Sequence, residues 1–357
     1  MAAFWLTSKG FDVRCICHGD SAPNVLPSPI STVPVLQATG AGLSGHIRLA
    51  VALWRARTKF PDAVFFMESS PVAPAAILGL AGVPRSRIVY QTQDYLDPAR
   101  YPWRARCEGI LARRAHLVIS NEPERALRIA ANYRLPQSPM VIRTALPAAW
   151  PTPKPDDALR QKLSEGDTKA KLVFAGGGFS PVRCSAALLD AMRLLPEYYH
   201  LLFSGMADTA PAARIVHEEA SRYGIADRVH ILGHLSFERL MQVMASCDIG
   251  ILLYPNDGFG NYHQAPGRFT EYLRAGIPFV ISNFPSLQKP TEQYDLGVAS
   301  DPTDPSAIAS AITSLGARTI DRPAESRRLK ELGRTTFAYE QQAAELARIL
   351  SDRSQRV

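Results

Sequence analysis

Short apolar runs alternate with helix-like runs along almost the whole chain. Most of them lack a clean alternation of apolar and polar residues, which is typical of strands buried on both faces of a parallel sheet. Five lie in each half of the chain: DVRCICH, AVFFMES, RIVYQTQ, HLVISN and MVIRT, then KLVFAGG, YHLLFSG, VHILGH, IGILLYP and PFVIS. Because helices must cover both faces of such a sheet, the pattern predicts an α/β protein with two doubly wound, Rossmann-like domains.

A segment rich in prolines separates the two halves. TALPAAWPTPKPDD carries four prolines, and charged residues follow up to Lys169. This composition indicates a linker, and 357 residues suit about two domains. We therefore expect one domain over residues 1–150 and a second from residue 151, facing each other across a cleft where ligands bind at the carboxyl ends of the strands.

The chain begins with helix-like residues. AAFWLTSKG precedes the first strand-like run, and Lys9-Gly10 is a typical helix end. Since a doubly wound domain normally opens with a strand and a glycine-containing turn, we expect the first domain to lack its first strand.

Charge and hydropathy narrow the classes of partner and location. The net charge of +7 favours anionic partners such as nucleotide diphosphates or acidic membrane surfaces. No apolar run reaches the 18 residues of a membrane span, and the first residues lack the pattern of a signal peptide. We expect a cytoplasmic protein.

A glycine-rich turn follows the first strand of the second half, in KLVFAGGGFSPVRCSAALLDAM. Gly176, Gly177 and Gly178 let the backbone approach a ligand, and the helix that begins near Cys184 offers N–H groups to an anion. Arg183 lies at the start of that helix, where a guanidinium can bind a diphosphate. A plain strand-to-helix turn with a surface arginine is the alternative.

A second pattern lies in IGILLYPNDGFGNYHQAPGRFTEYLRAGIPFVIS. A strand and a loop lead into a helix over Pro266–Ala275, which Gly276 and Pro278 end. Glu271 lies in the middle of this helix, and a carboxylate accepts hydrogen bonds from paired hydroxyls such as those of a ribose. The alternative is an ordinary exposed glutamate.

Residues 171–300 resemble the donor domain of GT-B glycosyltransferases, above all the retaining group known as family 4. The segments FAGGGF, RVHILGHL, SCDIGILLYP and PGRFTEYLRAGIPFVIS follow the order and spacing of that family. The resemblance implies that Glu271 binds the donor ribose, that Arg183 neutralises the diphosphate, and that Arg268 is a second phosphate contact. It further places Gly177 and Gly178 against the diphosphate or sugar, and Gly233 and His234 near the nucleobase.

One position departs from the family pattern. The family often has two acidic residues eight positions apart, and the residue eight before Glu271 is His263. The earlier acid is usually placed near the donor sugar. An imidazole can still hydrogen-bond sugar hydroxyls, so we assign His263 to the reacting centre, although the departure puts activity in doubt.

The first half resembles the family less specifically. Pro61-Asp62-Ala63-Val64 and Gly82-Val83-Pro84 match its typical turns, and Glu68 and Asp94 end strands on the expected cleft side. Asp94 is a candidate contact for an acceptor hydroxyl and counts with His263 as a catalytic candidate. FAYEQQAAELARIL resembles the final family helix, so we expect the donor domain over residues 151–334 and a helix over 335–357 that packs on the first domain.

The resemblance implies transfer of a sugar, a hexose in most of the group, from a nucleotide-diphosphate donor. The acceptor would be a glycan, a lipid-linked molecule or a small molecule, and the product would retain the anomeric configuration. In such an enzyme, positioning and leaving-group stabilisation supply most of the rate. We expect no cofactor and no required metal, because no D-x-D motif ends a strand.

Three other functions remain open. The residues Gly40-Ala41-Gly42-Leu43-Ser44-Gly45 match G-x-G-x-x-G, with Glu68 at the end of the next strand, as in NAD(P)-dependent oxidoreductases, although STVPVLQAT before them is a poor strand. Ten arginines and five acids lie in residues 85–134, but no nucleic-acid-binding motif accompanies them. We expect no nucleic-acid partner and prefer peripheral contact of this segment with an anionic membrane.

The third alternative function is that of a catalytically degenerate GT-B relative that still binds nucleotide-sugar. The residue that suggests it is His263.

Overall fold

The computed structural model describes residues 2–17, 35–38, 42–163, 167–318 and 322–354. In its first half, the elements in chain order are α1 (Ala2–Ser8), β1 (Cys15–Cys17), β2 (Val35–Ala38), α2 (Gly42–Lys59), β3 (Phe65–Glu68), α3 (Ala73–Gly79), β4 (Ile88–Thr92), α4 (Pro102–Arg114), β5 (Leu117–Ser120), α5 (Pro123–Tyr133) and β6 (Met140–Val141).

The second half continues the alternation. Its elements are α6 (Asp157–Leu163), β7 (Lys171–Gly176), α7 (Ser185–Met192), β8 (Tyr199–Ser204), α8 (Pro211–Arg222), β9 (Val229–Ile231), α9 (Phe237–Ser246), β10 (Ile249–Leu252), α10 (Phe259–Tyr262), α11 (Gly267–Ala275), β11 (Phe279–Ser282), α12 (Pro285–Gln293), β12 (Gly297–Ser300), α13 (Pro305–Gly316), α14 (Arg322–Arg334) and α15 (Tyr339–Ser354).

The chain forms two compact units. The N-terminal unit comprises Met1–Pro147 together with Tyr339–Val357, and the C-terminal unit comprises Ala148–Ala338. Each is built around a parallel sheet covered by helices. The predicted α/β class with two Rossmann-like domains is therefore confirmed.

The C-terminal unit holds a parallel sheet in the order β12-β11-β10-β7-β8-β9. Counted within the unit, this is the strand order 6-5-4-1-2-3 of a dinucleotide-binding fold. The order reverses between β7 and β10, which pair directly at Val173 and Ile249. Ligands of such sheets bind beyond the carboxyl ends of the strands at this switch point, so the topology places the candidate site there.

Both faces of this sheet are buried, which explains why its strands do not alternate in sequence. Val173 packs with α7, α8 and α13 in one core, which includes Leu188, Val216 and Ile308. Phe174 faces the other side, where its ring meets Tyr272 of α11 edge-on at 6.3 Å between centroids. Successive residues of β7 thus enter different cores, and each must be apolar.

The N-terminal unit follows the same logic with smaller sheets. Strands β3-β4-β5-β6 form one parallel sheet, and β1 pairs with β2 in another. The α15 helix packs with α1 on one face, where Trp5 meets Tyr339 at 5.5 Å between ring centroids over Val89 and Ile119. The opposite face carries Tyr90 in a core with helices α2 to α5.

The structure differs from the sequence-based prediction in several places. A strand does form over Val35–Ala38, although STVPVLQAT looked unsuitable for one, while Gly40 and Ala41 of the G-x-G-x-x-G match lie outside the described residues. The β12 strand was not predicted because GVAS is weakly apolar. Within the described ranges, the first element is α1 and the first strand begins at Cys15.

The segment interpreted as a linker is partly structured. The α6 helix and the preceding Asp156 are held within the C-terminal unit by ion pairs of Asp156 with Arg239 at 2.6 Å and of Arg160 with Asp248 at 2.9 Å. These pairs link residues far apart in the chain, so composition alone did not indicate them. In the described part of the chain, no helix is both long and apolar enough to cross a membrane.

Candidate functional site

Three neighbouring strands of the C-terminal unit end in glycines with left-handed backbone. Gly177 follows β7 with φ of 95°, Gly205 follows β8 with φ of 98°, and Gly233 follows β9 with φ of 71°. The turns are joined sideways, because the Gly177 N–H donates to the Ser204 carbonyl at 3.0 Å and the Gly205 N–H donates to the Gly233 carbonyl at 2.9 Å. They form one continuous glycine edge, of which sequence analysis singled out only the outer members.

Close backbone packing explains why Gly178 and Gly205 are glycines. A Cβ on Gly178 would lie 3.2 Å from the Gly205 carbonyl oxygen, and a Cβ on Gly205 would lie 3.2 Å from the Gly178 nitrogen. Like that of Gly177, the Gly178 N–H donates to Ser204, at 2.8 Å. Since both amides are engaged, an anion at this turn must find its donors in neighbouring side chains or in the helix that follows.

Arg183 supplies one such donor group at the switch point. Its guanidinium carbon lies 4.6 Å from the ring centroid of Tyr254, which follows β10. The Arg183 side chain also packs on Gly177, where an added Cβ would meet Nε at 2.9 Å. Tyr254 thus holds the guanidinium between the ends of β7 and β10, where the sheet topology predicts a ligand.

The start of α7 lies next to Arg183. Cys184 precedes the helix with φ of 49°, and the structure shows no side-chain cap on its first turn. Ser185 instead accepts from the Ser180 N–H at 3.1 Å and donates to the Gly178 carbonyl at 3.3 Å, which ties the helix to the glycine turn. Burial, with nearby Asp257 and Asp301, raises the pKa of Cys184 to about 11, so its thiol stays protonated at neutral pH.

A tyrosine in a glycine slot fixes α11 on the sheet. The Tyr272 hydroxyl donates to the Ile251 carbonyl at 2.8 Å. A Cβ on Gly250 would lie 2.7 to 2.8 Å from the Tyr272 ring, so only glycine leaves room for it. The helix begins at Gly267, since the flanking Pro266 has an extended ψ of 143°; the prediction that Pro266 is its first residue was wrong.

This docking sets the positions of Arg268 and Glu271. The Arg268 guanidinium lies against the end of β7, where a Cβ on Gly176 would meet its Cζ at 3.1 Å. Because Gly177 contacts Arg183, two guanidiniums lie against consecutive residues of one turn. The end of β7 therefore carries two guanidiniums, which suits an anion with two phosphates.

Glu271 is paired with Arg268 on the same helix. Its Oε2 lies 2.8 Å from Arg268 Nη1, yet among the described residues no hydrogen-bond donor points at this buried oxygen. Burial raises the pKa of Glu271, and the charge of Arg268 opposes that rise. A buried carboxylate oxygen without a hydrogen bond is costly and is suited to accept one from a ligand hydroxyl.

His263 lies in the aromatic loop between β10 and α11. Its ring centroid is 4.5 Å from that of Phe259 and 5.1 Å from that of Tyr262. Its Nδ1 is buried, and no hydrogen-bond partner for it is found in the described residues. His263 is therefore a half-buried residue held by two aromatic rings, and its buried Nδ1 is left without a hydrogen bond among the described residues.

The remaining donor-site candidates lie at the same glycine edge. Gly233 bonds to Gly205 as described, and His234, the next residue, is exposed. The structure thus brings Gly177, Gly178, Arg183, Arg268 and Gly233 to the carboxyl ends of β7, β8 and β9. The described residues contain no group of three His, Cys, Asp or Glu side chains that could hold a metal ion.

The acceptor candidates belong to the N-terminal unit. Asp94 is exposed just after β4. Glu68, at the end of β3, accepts from Gln93 Nε2 at 2.6 Å, and the Gln93 carbonyl accepts from Asn121 Nδ2 at 2.6 Å and from Arg125 Nη1 at 3.1 Å. Gln93 therefore organises this sheet edge. The polar end of VYQTQD could have indicated it, but its partners are distant in the chain.

The family model of glycosyl transferases group 1 matches residues 156–335, about half of the chain. A D-inositol 3-phosphate glycosyltransferase of Mycolicibacterium gilvum is 28% identical over 146 residues, which are 40% of this chain. That alignment spans only 33% of the relative's own length.

Two solved structures share the fold. The Anabaena protein HepE, in complex with UDP-glucose, superposes with a TM-score of 0.74 at 19% identity and covers 95% of this chain and 91% of its own. Sucrose-phosphate synthase of Thermosynechococcus elongatus has a TM-score of 0.74 at 17% identity and covers 99% of this chain and 92% of its own. At these identities the likeness establishes the GT-B fold.

Proposed function

This chain belongs to the glycosyl transferases of group 1 and is a transferase, and we propose that it takes a sugar from a nucleotide-diphosphate donor bound in its C-terminal unit. The observation that carries the proposal is the pair of guanidiniums, Arg183 and Arg268, on consecutive residues of the β7 turn. In a retaining transfer the nucleotide diphosphate leaves with its charge, so two fixed guanidiniums stabilise the leaving group.

Glu271 completes the donor site in this proposal. Its buried oxygen accepts a hydrogen bond from a ribose hydroxyl, which supplies the donor that the described residues do not provide. Gly177 and Gly178 lie against the diphosphate or sugar as a close surface, since their N–H groups are engaged with Ser204. Gly233 and the exposed His234 lie on the nucleobase side.

The reacting centre is proposed at His263, whose imidazole contacts the donor sugar. The acceptor is a glycan, a lipid-linked molecule or a small molecule, with Asp94 of the N-terminal unit as its first polar contact. We propose transfer with retention and without a required metal, because the two arginines neutralise the diphosphate. The proposed setting is cytoplasmic, peripheral to a membrane where the acceptor is lipid-linked.

A catalytically degenerate nucleotide-sugar-binding protein is the second candidate. The observation that favours it is the ring packing of His263, which puts an imidazole where many relatives have a carboxylate. The family match favours a transferase over the NAD(P)-dependent oxidoreductase that the G-x-G-x-x-G match suggested.

The test is nucleotide release from a panel of UDP- and GDP-sugars, with and without EDTA. UDP-glucose comes first, because HepE was solved with that molecule. An active enzyme releases nucleotide from one member of the panel, and EDTA leaves the rate unchanged. Nucleotide binding without release identifies the degenerate protein. The proposal would be overturned if the protein neither binds nor releases nucleotide.

A further inference from the structure

The α2 helix is apolar on two faces, and only one of them is buried. Leu49, Ala52 and Leu53 are 2%, 6% and 4% exposed and pack into the core of the N-terminal unit. A second set faces solvent, and we refer to it as the apolar row: Leu43 at 78% exposed, Ile47 at 59%, Val51 at 41% and Trp54 at 51%. Among the described residues, the packing of α2 in the core is made by Leu49 and Leu53 and not by the apolar row.

The apolar row is a continuous surface. At about 100° per residue, its four members fall within an arc of about 80°, and they extend over about 17 Å of helix. They lie beside the contact with α3, where a Cβ on Gly79 would meet the Ala50 carbonyl oxygen at 2.5 Å. Leu78, next to Gly79, is 71% exposed and widens the row on that side.

Positive charge borders the row on its other side. Arg48, Arg55 and Lys59 are exposed and lie about 40 to 80° further around the helix from Val51. The α2 helix contains no acidic residue, nor does α3. The acid on α4 is Glu108, which is buried and accepts hydrogen bonds from Tyr90 and Tyr133. Among the described residues, none of these three helices carries an exposed acid that offsets the positive charge of the border.

This location differs from the basic segment that the sequence indicated. Several arginines in residues 85–134 are engaged in the fold and donate to backbone carbonyls: Arg85, Arg87, Arg113, Arg114 and Arg125. The density of arginine there is therefore partly structural. Exposed apolar and basic side chains occur together at Tyr101 and Trp103, beside Arg100 and Arg106, and in a longer row on α2.

We propose that α2 docks the protein on an anionic phospholipid bilayer, parallel to the membrane plane. The apolar row enters the boundary between headgroups and acyl chains, while Arg48, Arg55 and Lys59 reach lipid phosphates. A narrow apolar line beside long, flexible cationic side chains complements a fluid anionic surface. The role of this docking rests on the proposed function, in which the acceptor is lipid-linked. Binding to the membrane does not itself need the nucleotide site.

The test is co-sedimentation of the full chain with vesicles of phosphatidylcholine alone or with about 30 mol% phosphatidylglycerol, at about 50 and about 500 mM NaCl. The two matched variants are Ile47→Glu and Leu127→Glu, since Leu127 on α5 of the same unit is 57% exposed. We expect binding only to the anionic vesicles, weakened by salt. Ile47→Glu should lower the affinity at least about tenfold and Leu127→Glu less than about twofold.

A charge variant tests the basic border without touching the row. Arg55→Gln with Lys59→Gln should lower the affinity roughly thirtyfold, at about fivefold per charge, with an unchanged Tm. Absence of binding to anionic vesicles, or equal loss in Ile47→Glu and Leu127→Glu, would overturn the proposal. The proposal would also be overturned if the protein self-associates without vesicles and Ile47→Glu abolishes this association. In that case α2 would be a protein interface. Nucleotide release by the same preparations reports separately on the proposed function.

Discussion

Arg268 and Glu271 lie one turn apart on α11, with 2.8 Å between Nη1 of the arginine and Oε2 of the glutamate. In the free protein each charge is the other's partner. A nucleotide diphosphate can engage both, because its phosphates attract the guanidinium and its ribose hydroxyls donate to the carboxylate. The charge of Arg268 therefore offsets part of the cost of burying the Glu271 carboxylate. The two residues are three apart, a spacing that makes neighbours on a helix.

The first prediction concerns the pH dependence of stability. Burial raises the pKa of Glu271 in the folded protein above its ordinary value of 4.5, so the folded state binds this proton more tightly than the unfolded chain. Its contribution to stability is full below about pH 4.5 and is lost as the pH rises through the raised pKa. The Tm of Glu271→Gln minus that of the wild type should therefore increase between about pH 4 and about pH 7.

Thermal unfolding monitored by circular dichroism measures this difference. The exposed Glu292 of α12 is the control, because Glu292→Gln removes a carboxylate from the surface of the same unit. An offset for Glu271→Gln that stays constant over this pH range, or that changes no more than the offset for Glu292→Gln, would contradict the prediction.

The second prediction separates the diphosphate from the nucleoside. Arg183→Ala should weaken binding of the preferred nucleoside diphosphate about 10- to 100-fold, the range expected for hydrogen bonds to a charged group. Affinity for the nucleoside alone should change less than about twofold, since Arg183 lies at the phosphate turn. Titration calorimetry with both ligands gives the comparison.

The control for Arg183 is Arg193→Ala. Arg193 also stacks on a tyrosine, at 4.6 Å from the ring centroid of Tyr223, but lies away from the glycine edge. Equal losses for nucleoside and nucleoside diphosphate in Arg183→Ala, or a comparable loss in Arg193→Ala, would contradict the assigned role.

The predictable part of the site lies within single segments. The strands, the glycine turn and the Gly276 helix end are local patterns, and all are present in the structure, although several strands are shorter than their apolar runs. The Arg268–Glu271 pairing could also have been foreseen from its spacing. Strands with strong local hydrophobicity were found, whereas β12, with the sequence GVAS, is held mainly by its neighbour β11.

The unpredictable part consists of contacts between distant segments. Nothing in FAGGGF shows that the amides of Gly177 and Gly178 bond to Ser204, because Ser204 lies on the next strand, β8. Gly250 of β10 makes room for a ring on the later helix α11. Likewise, the groups that donate to the Gln93 carbonyl come from residues after β5 and on α5, so only the folded chain shows them.

The third prediction tests how α11 is docked. Gly250→Ala places a methyl group against the Tyr272 ring and should lower the free energy of unfolding by about 1–3 kcal/mol, the usual cost of overpacking a core. Urea unfolding measures the loss. Tyr272→Leu in the same chain removes the ring, so the double variant should lose less than the sum of the two single variants. Additive losses would show that Gly250 does not make room for Tyr272.

The fourth prediction concerns His263. If its imidazole contacts the donor sugar, His263→Ala should lower the rate of sugar transfer or donor hydrolysis at least about tenfold, while nucleotide affinity stays within about twofold. The exposed His217 of α8 provides the control, because His217→Ala should change neither quantity. An unchanged rate in His263→Ala would remove this residue from the reacting centre.

The most direct test of the donor site is titration calorimetry of the full chain with UDP, GDP and ADP, for the wild type, Glu271→Ala and the control Glu292→Ala. We predict that the wild type binds at least one of these nucleotides and that Glu292→Ala binds it equally well. Glu271→Ala should bind it about 10- to 100-fold more weakly, for the loss of hydrogen bonds to a charged group, with a cooperative unfolding transition retained. Equal affinity in Glu271→Ala and the wild type would contradict the central claim that this unit holds the donor through its buried carboxylate.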